Sequence, residues 1–267
     1  MIDWVPPMGG RIHAERDGAI GWIAFDHPER RNAISVEMWR ALPAAVEGLD
    51  RDERVRVLVL RGAGEEAFVS GADISEFGAH RTGDAARHYD ADSARAFGAL
   101  ANAAKPLLAM IHGYCVGGGV AIALGADLRF ASDDAVFAIP AARLGLGYHA
   151  PGLQALADLV GWSSAKEIFF TARHFDAGEA LGMGLVNRVV PKAGLEAAVR
   201  ESAARMAENA PLTLRSVKLI ARELGRRDGE PDRAAIAGSI RACFESDDYR
   251  EGMRAFLEKR RPEFKGR

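Results

Sequence analysis

Residues 12–16 and 20–26 alternate apolar and polar side chains on either side of Asp17-Gly18, the period-two pattern of a β-hairpin. The period then changes. Val36, Met38, Trp39, Leu42 and Val46 recur at helical spacing behind Ser35, whose hydroxyl suits a helix N-cap, and Glu37 lies in the first turn. A helix to about residue 49 is expected, with Pro43 as a source of a kink. Short aliphatic runs at 55–60 and 107–111 read as strands buried on both faces, and 127–131 and 135–139 as two more. Helical periods begin near Leu153 and dominate after Leu195, with segments at 196–208, 212–224, 232–245 and 248–260. Strands first and helices last predicts an α/β molecule with a sheet-rich core and a helical C-terminal extension. Residues 80–92 hold few large apolar side chains and stand as a flap over a site.

The run at 106–128 is nearly all apolar and approaches the length of a membrane span. Gly113 and Gly117-Gly118-Gly119 would interrupt such a helix, and His112 lies inside it, so a buried strand turning into a buried helix is expected, with no membrane partner. At 267 residues the chain suits one core with an appendage. A net charge of −2 argues against a nucleic-acid-binding surface spread over the molecule and favours a small-molecule or protein partner. Cys115 and Cys243 have no ligand or redox spacing, so neither a disulfide framework nor a metal site is suggested, and reduced thiols in the cytoplasm are expected. Residues 1–10 carry Asp3 and two prolines where a signal peptide would have basic residues and an apolar run.

Two turns carry candidate chemistry: Phe68-Val69-Ser70-Gly71-Ala72-Asp73-Ile74 and Ile111-His112-Gly113-Tyr114-Cys115-Val116-Gly117-Gly118-Gly119. Their glycines let the backbone approach a ligand, and the second runs into a helix whose first free N–H groups attract negative charge. Each turn can supply one N–H to a developing oxyanion. Each is equally compatible with plain packing.

Together with Pro28-Glu29-Arg30-Arg31-Asn32-Ala33-Ile34, residues 177–187 (AGEALGMGLVN) and Phe256-Leu257-Glu258-Lys259-Arg260, these turns resemble the enoyl-CoA hydratase/isomerase (crotonase) family over almost the whole chain. The resemblance implies a core of repeated ββα units over residues 1–195 and a helical trimerisation region over 196–267, assembled as a homo-oligomer, a trimer or a dimer of trimers. It implies an acyl-CoA substrate, with coenzyme A arriving as part of the thioester and no cofactor bound permanently. The N–H groups of Ala72 and Gly118 would form the oxyanion hole. Ser70, Asp73 and Ile74 would hold the adenine, Arg31 and Ala33 would line the coenzyme, and Phe256 and Lys259 would reach it from a neighbouring subunit.

The pattern breaks at two places. The two glutamates of family hydratases fall on Ala121 and Ala141, which can neither hold a water nor transfer a proton, so plain hydration of a 2-enoyl thioester is not expected. Hydrolysis, isomerisation, decarboxylation and retro-aldol cleavage stay compatible with the retained half of the site. His149 lies eight positions after Ala141, where some relatives carry a catalytic aspartate; it can act as a base near neutral pH, and the Tyr148 phenol can donate a proton. The alternative is that Tyr148 and His149 pack and cap the helix near Leu153. His80, Asp84, His88 and Tyr89 form a weaker set, and Asp158, Glu167 and Asp176 read as helix-surface or capping acids. Two functions of another class compete: an inactive acyl-CoA-binding homologue, and RNA binding through Arg226-Arg227 and Lys259-Arg260-Arg261.

Overall fold

The computed structural model describes residues 9–80, 83–227 and 229–267. Its elements follow one another as β1 (Arg11–Asp17), β2 (Ile20–Asp26), α1 (Val36–Arg51), β3 (Val57–Gly62), β4 (Ala67–Val69), α2 (Phe77–His80), α3 (Gly83–Asn102), β5 (Leu107–Ile111), β6 (Tyr114–Val116) and α4 (Gly118–Leu124). After these come β7 (Leu128–Ser132), β8 (Val136–Ala138), α5 (Ala150–Thr171), β9 (Phe175–Asp176), α6 (Ala177–Gly182), β10 (Arg188–Val190), α7 (Leu195–Ala207), α8 (Pro211–Leu224), α9 (Arg233–Glu245) and α10 (Asp247–Leu257). Pairs of strands followed by a helix recur along the chain, as the expected ββα units require.

The strands form a six-stranded sheet of order β1-β2-β3-β5-β7-β10 and a smaller sheet of order β4-β6-β8-β9; in the pairs β3/β4, β5/β6 and β7/β8 the first strand enters the large sheet and the second the small one. Apart from the β1–β2 hairpin the large sheet is parallel. Parallel strands covered on both faces need apolar side chains at successive positions. Leu58 and Leu60 of β3 accordingly join the main core with Phe25, Phe68 and Phe137. Val57 and Val59 point the other way, into a second cluster with Trp22, Leu108 and Phe130, which Leu195, Val199 and Ala203 of α7 cover. Cys115 of β6 is fully buried in the main core, and burial pushes its thiol far up from the ordinary value.

The expected hairpin pairs antiparallel from Arg11↔Asp26 to Asp17↔Ile20. Ser35 caps α1, its hydroxyl accepting from the Met38 N–H at 3.3 Å, and Pro43 lies inside that helix without ending it. Two expectations are corrected. Helices do not wait until the strands are finished, since α1, α3 and α4 each return the chain from one strand pair to the next. The flap expected over 80–92 is, from Gly83 on, part of a 20-residue helix whose Tyr89, Ala96 and Leu100 face inward. No described helix is long and apolar enough to cross a membrane, and residues 106–128 form β5, β6 and α4 as expected.

Candidate active site

Strands β4 and β6 lie side by side and parallel, with Ala67 opposite Tyr114 and Val69 opposite Cys115, so the two glycine-rich turns leave the same end of the small sheet. The first turn is fixed from the side by residues 30–34. Ile34 N–H donates to Gly71 O at 2.8 Å and Asp73 N–H to Ile34 O at 3.0 Å, a parallel bridge centred on Ala72. Such a bridge uses the groups on either side of residue 72, which turns the Ala72 N–H away from Ile34. Among the described residues no hydrogen bond occupies that N–H.

The second turn holds the complementary donor. Gly117 takes φ 52° and ψ −108°, a conformation that strains any L side chain, and its own N–H is consumed by Ala138 O at 2.8 Å. Gly118 is the first residue of α4, so its N–H has no partner within the helix. A Cβ at Gly118 would stand 3.5 Å from Ala72 N, which puts the two free donors side by side. Gly119 makes this approach possible: a Cβ there would lie 2.0 Å from Val69 O. Two neighbouring N–H groups of this kind can stabilise an oxyanion, each typically by about 3 kcal/mol in a dry site.

Residues 30–34 and 70–74 are laced together. Ser70 donates its N–H to Arg31 O and its hydroxyl to Arg30 O, both at 3.1 Å. Arg31 lies in the left-handed region at φ 52°, its guanidinium over the Tyr114 ring and 3.4 Å from Glu66, while Ala33 is buried. Ile74 is 59% exposed. Asp73 is buried and accepts from the Ser75 N–H at 3.0 Å and hydroxyl at 2.6 Å. Burial would raise its carboxyl, but the Ser75 hydrogen bonds and the charges of Arg30 and His27 outweigh that and hold it below the ordinary 3.8.

Because the folded value is the lower one, Asp73 stabilises the fold fully above about pH 4, and this contribution is lost as pH falls through the folded value. Asp73→Asn is therefore expected to cost about 1–2 kcal/mol at pH 7 and progressively less in acid. Denaturant unfolding at pH 7 and at about pH 3 checks this, and an identical cost at each would contradict it.

Sequence reasoning overlooked Asn32, which organises this corner. It is 1% exposed at φ 56°, and its amide donates to Ala63 O at 2.9 Å and Ala67 O at 2.7 Å while accepting from the His27 N–H at 2.9 Å. An asparagine after two arginines gives no signal of this in the sequence beyond its tolerance of left-handed backbone.

Ala121 lies in the first turn of α4, its N–H donating to Gly117 O at 3.1 Å. Ala141 follows β8, the strand beside β6, and is buried. The loop to α5 starts there, with Leu146 N–H held by Ala141 O at 3.0 Å. Tyr148 packs edge-to-face on Phe169 at 4.5 Å, and burial pushes its phenol up, so at neutral pH it holds its proton and is available as a proton donor, not as a base. His149 is the N-cap residue of α5 but makes no side-chain cap; its ring is 75% exposed, with Nε2 3.6 Å from Asp90 Oδ1 on α3. Asp90 was not anticipated, because the contact joins residues 59 positions apart.

The weaker set does not converge. Tyr89 is buried and accepts from Trp39 Nε1 at 2.9 Å, Asp84 pairs with Arg87, His88 is exposed, and the His80 side chain lies outside the described residues. Asp176 caps α6 in a capping box, Glu167 pairs with Arg173 at 2.8 Å, and Asp158 bonds Gln154 and Arg227. Phe256, 84% exposed, lies in the last turn of α10, and Lys259 follows the helix at φ 55°. Among the described residues no group of three or more His, Cys, Asp or Glu side chains could hold a metal ion.

The chain is similar to known proteins over nearly its whole length. The chain is 34% identical over 262 residues to a short-chain-enoyl-CoA hydratase of Clostridium acetobutylicum, covering 95% of this chain and 97% of the relative. It is 32% identical over 264 residues to a carnitinyl-CoA dehydratase of Salmonella typhi, covering 97% and 100%. A solved enoyl-CoA hydratase/carnithine racemase from Magnetospirillum magneticum superposes with a TM-score of 0.91 at 35% identity, covering 96% of each chain. The family model described as Enoyl-CoA hydratase/isomerase matches residues 15–267, and the chain belongs to that family of enzymes.

Proposed function

We propose that the protein is an enzyme acting on an acyl-CoA thioester, whose carbonyl oxygen is received by the Ala72 and Gly118 N–H groups as an enolate or tetrahedral adduct forms. The observation that carries this reading is the pair of free donors brought together across the ends of β4 and β6. The relatives, a short-chain-enoyl-CoA hydratase and a carnitinyl-CoA dehydratase among them, support the substrate class. Coenzyme A would run along the seam between residues 30–34 and 70–74, past Arg31, Ala33, Ser70, Asp73 and Ile74. No other cofactor is needed for such chemistry.

The proton chemistry would differ from that of a hydratase. With Ala121 and Ala141 inert, His149, paired with Asp90, is the best available base, and Tyr148 a proton donor. The exposed apolar side chains of the region 196–267, among them Val217, Phe244, Phe256 and Leu257, support its role in a homo-oligomer, with Phe256 and Lys259 lent to a neighbour's coenzyme. The same two alanines favour a second reading, an acyl-CoA-binding homologue without turnover.

Incubating the purified protein with a panel of CoA thioesters and analysing the products by mass spectrometry separates these readings. Crotonyl-CoA is expected to persist, its enoyl absorbance unchanged. Another thioester is expected to be converted, with His149→Ala slowing it about 100-fold or more. Rapid hydration of crotonyl-CoA would overturn the role given to the alanines, and binding without conversion of any thioester would favour the non-catalytic homologue.

A further inference from the structure

Arg129, on β7, is 3% exposed, yet no carboxylate lies within ion-pair distance of it among the described residues. Its guanidinium spends its donors on neutral carbonyls: Nη1 on Ala126 O at 2.6 Å and Ala123 O at 3.5 Å, and Nε on Leu185 O at 2.7 Å. Its backbone is fixed as firmly, since Arg129 N–H donates to Asn187 Oδ1 and Asn187 N–H to Arg129 O, both at 2.8 Å. Asp127 is the carboxylate whose field reaches Arg129, and that charge is already held by Lys218 Nζ at 2.8 Å and the Leu107 N–H at 2.7 Å. A guanidinium does not shed its proton under such conditions, so a net positive charge is locked inside the fold.

Its place gives that charge a use. Ala123 lies in the last turn of α4 and Ala126 two residues beyond its end at Leu124; the other end of this helix offers the Gly118 N–H. Seven residues span about 10 Å. The cation thus neutralises the negative end of a short helix dipole while its own field adds to the positive end, and its hydrogen bonds fix where α4 stops.

We propose that Arg129 is a positioning residue for the oxyanion hole, holding α4 in register and adding its buried charge to the potential at the Gly118 N–H. The inference rests on the thioester reading above. At an effective dielectric near 20 and roughly 10–12 Å, such a charge stabilises an oxyanion about tenfold.

The test uses a CoA thioester with a dialkylaminocinnamoyl chromophore, whose absorption shifts to the red as its carbonyl is polarised. Wild type is expected to bind it with a red shift. Arg129→Met is expected to bind within about threefold of the same affinity but with a smaller shift, and kcat for a converted thioester is expected to fall about tenfold with KM little changed. Arg129→Lys is expected to restore the shift at pH 7 and to lose it as pH rises towards about 10, because a buried lysine, unlike arginine, can be deprotonated. A merely structural arginine would produce no such titration.

A full red shift in Arg129→Met would overturn the proposal. Should that variant fail to fold, the lysine variant decides: a shift that declines with rising pH supports the proposal and one that stays flat overturns it. Absence of any shift in wild type would instead remove the oxyanion reading itself, and this inference with it.

Discussion

Replacing Gly118 by proline is expected to lower turnover of the converted thioester about 100- to 1,000-fold while free coenzyme A still binds. Proline is tolerated at the first position of a helix, because the N–H it removes has no partner there and its fixed φ suits the helix. At Gly118 that otherwise idle N–H is one of the two donors proposed to receive the thioester oxygen. The change therefore removes the donor with little cost to α4. Gly118→Ala is the control: its Cβ would make an ordinary contact, 3.5 Å from Ala72 N, and the N–H is kept, so the loss is expected to be much smaller. Steady-state kinetics of the two variants, with calorimetric binding of coenzyme A, would show the difference. Turnover by the proline variant within about threefold of wild type would contradict the role of this N–H.

The largest stability effect is expected at Asn32. Truncation to alanine leaves the Ala63 and Ala67 carbonyls and the His27 N–H without their partner in a site that is 1% exposed. Each unpaired buried group costs about 1–3 kcal/mol, and alanine adds about 1 kcal/mol for the left-handed backbone at φ 56°. Allowing for relaxation, a loss of about 4 kcal/mol is expected, lowering Tm by about 10 °C at this chain length. Asn32→Asp is not expected to rescue, because it turns an acceptor towards two carbonyls. Thermal unfolding of both variants measures this, and a Tm within about 2 °C of wild type would refute it.

Long elements with strong periods were legible in the sequence. Strand β5 has the expected limits, and α1 has the expected cap because Ser35 precedes a dense apolar stripe. Helix α3 was not legible. Its inward face is built from Tyr89, Ala96 and Leu100 together with buried Asp92, whose carboxylate is held by Arg40 at 2.7 Å and by Arg95, so the usual stripe of large apolar residues is missing. Strands β4 and β6 are three residues each and owe their form to pairing with each other. A propensity window cannot see such partners.

The candidate site divides along the same line. The two turns could be found because glycine at a strand-to-helix junction has few local explanations. Asn32, Asp90 and Arg129 could not, because what each does depends on groups brought near by the fold: Ala67 for Asn32, His149 for Asp90, Leu185 for Arg129.

The two facing N–H groups belong to the main chain, and this shapes how the protein responds to mutation. Exchanging the Ala72 side chain leaves its donor in place, since every residue except proline carries the same amide. The vulnerable positions are Gly117 and Gly119, where a side chain would respectively strain the backbone or collide with Val69 O. Charge stabilisation is thus inherited as geometry and proton transfer as side-chain identity. On the proposed function, positions 121 and 141 can drift through alternative chemistries while the part of the site that would hold the thioester oxygen stays intact.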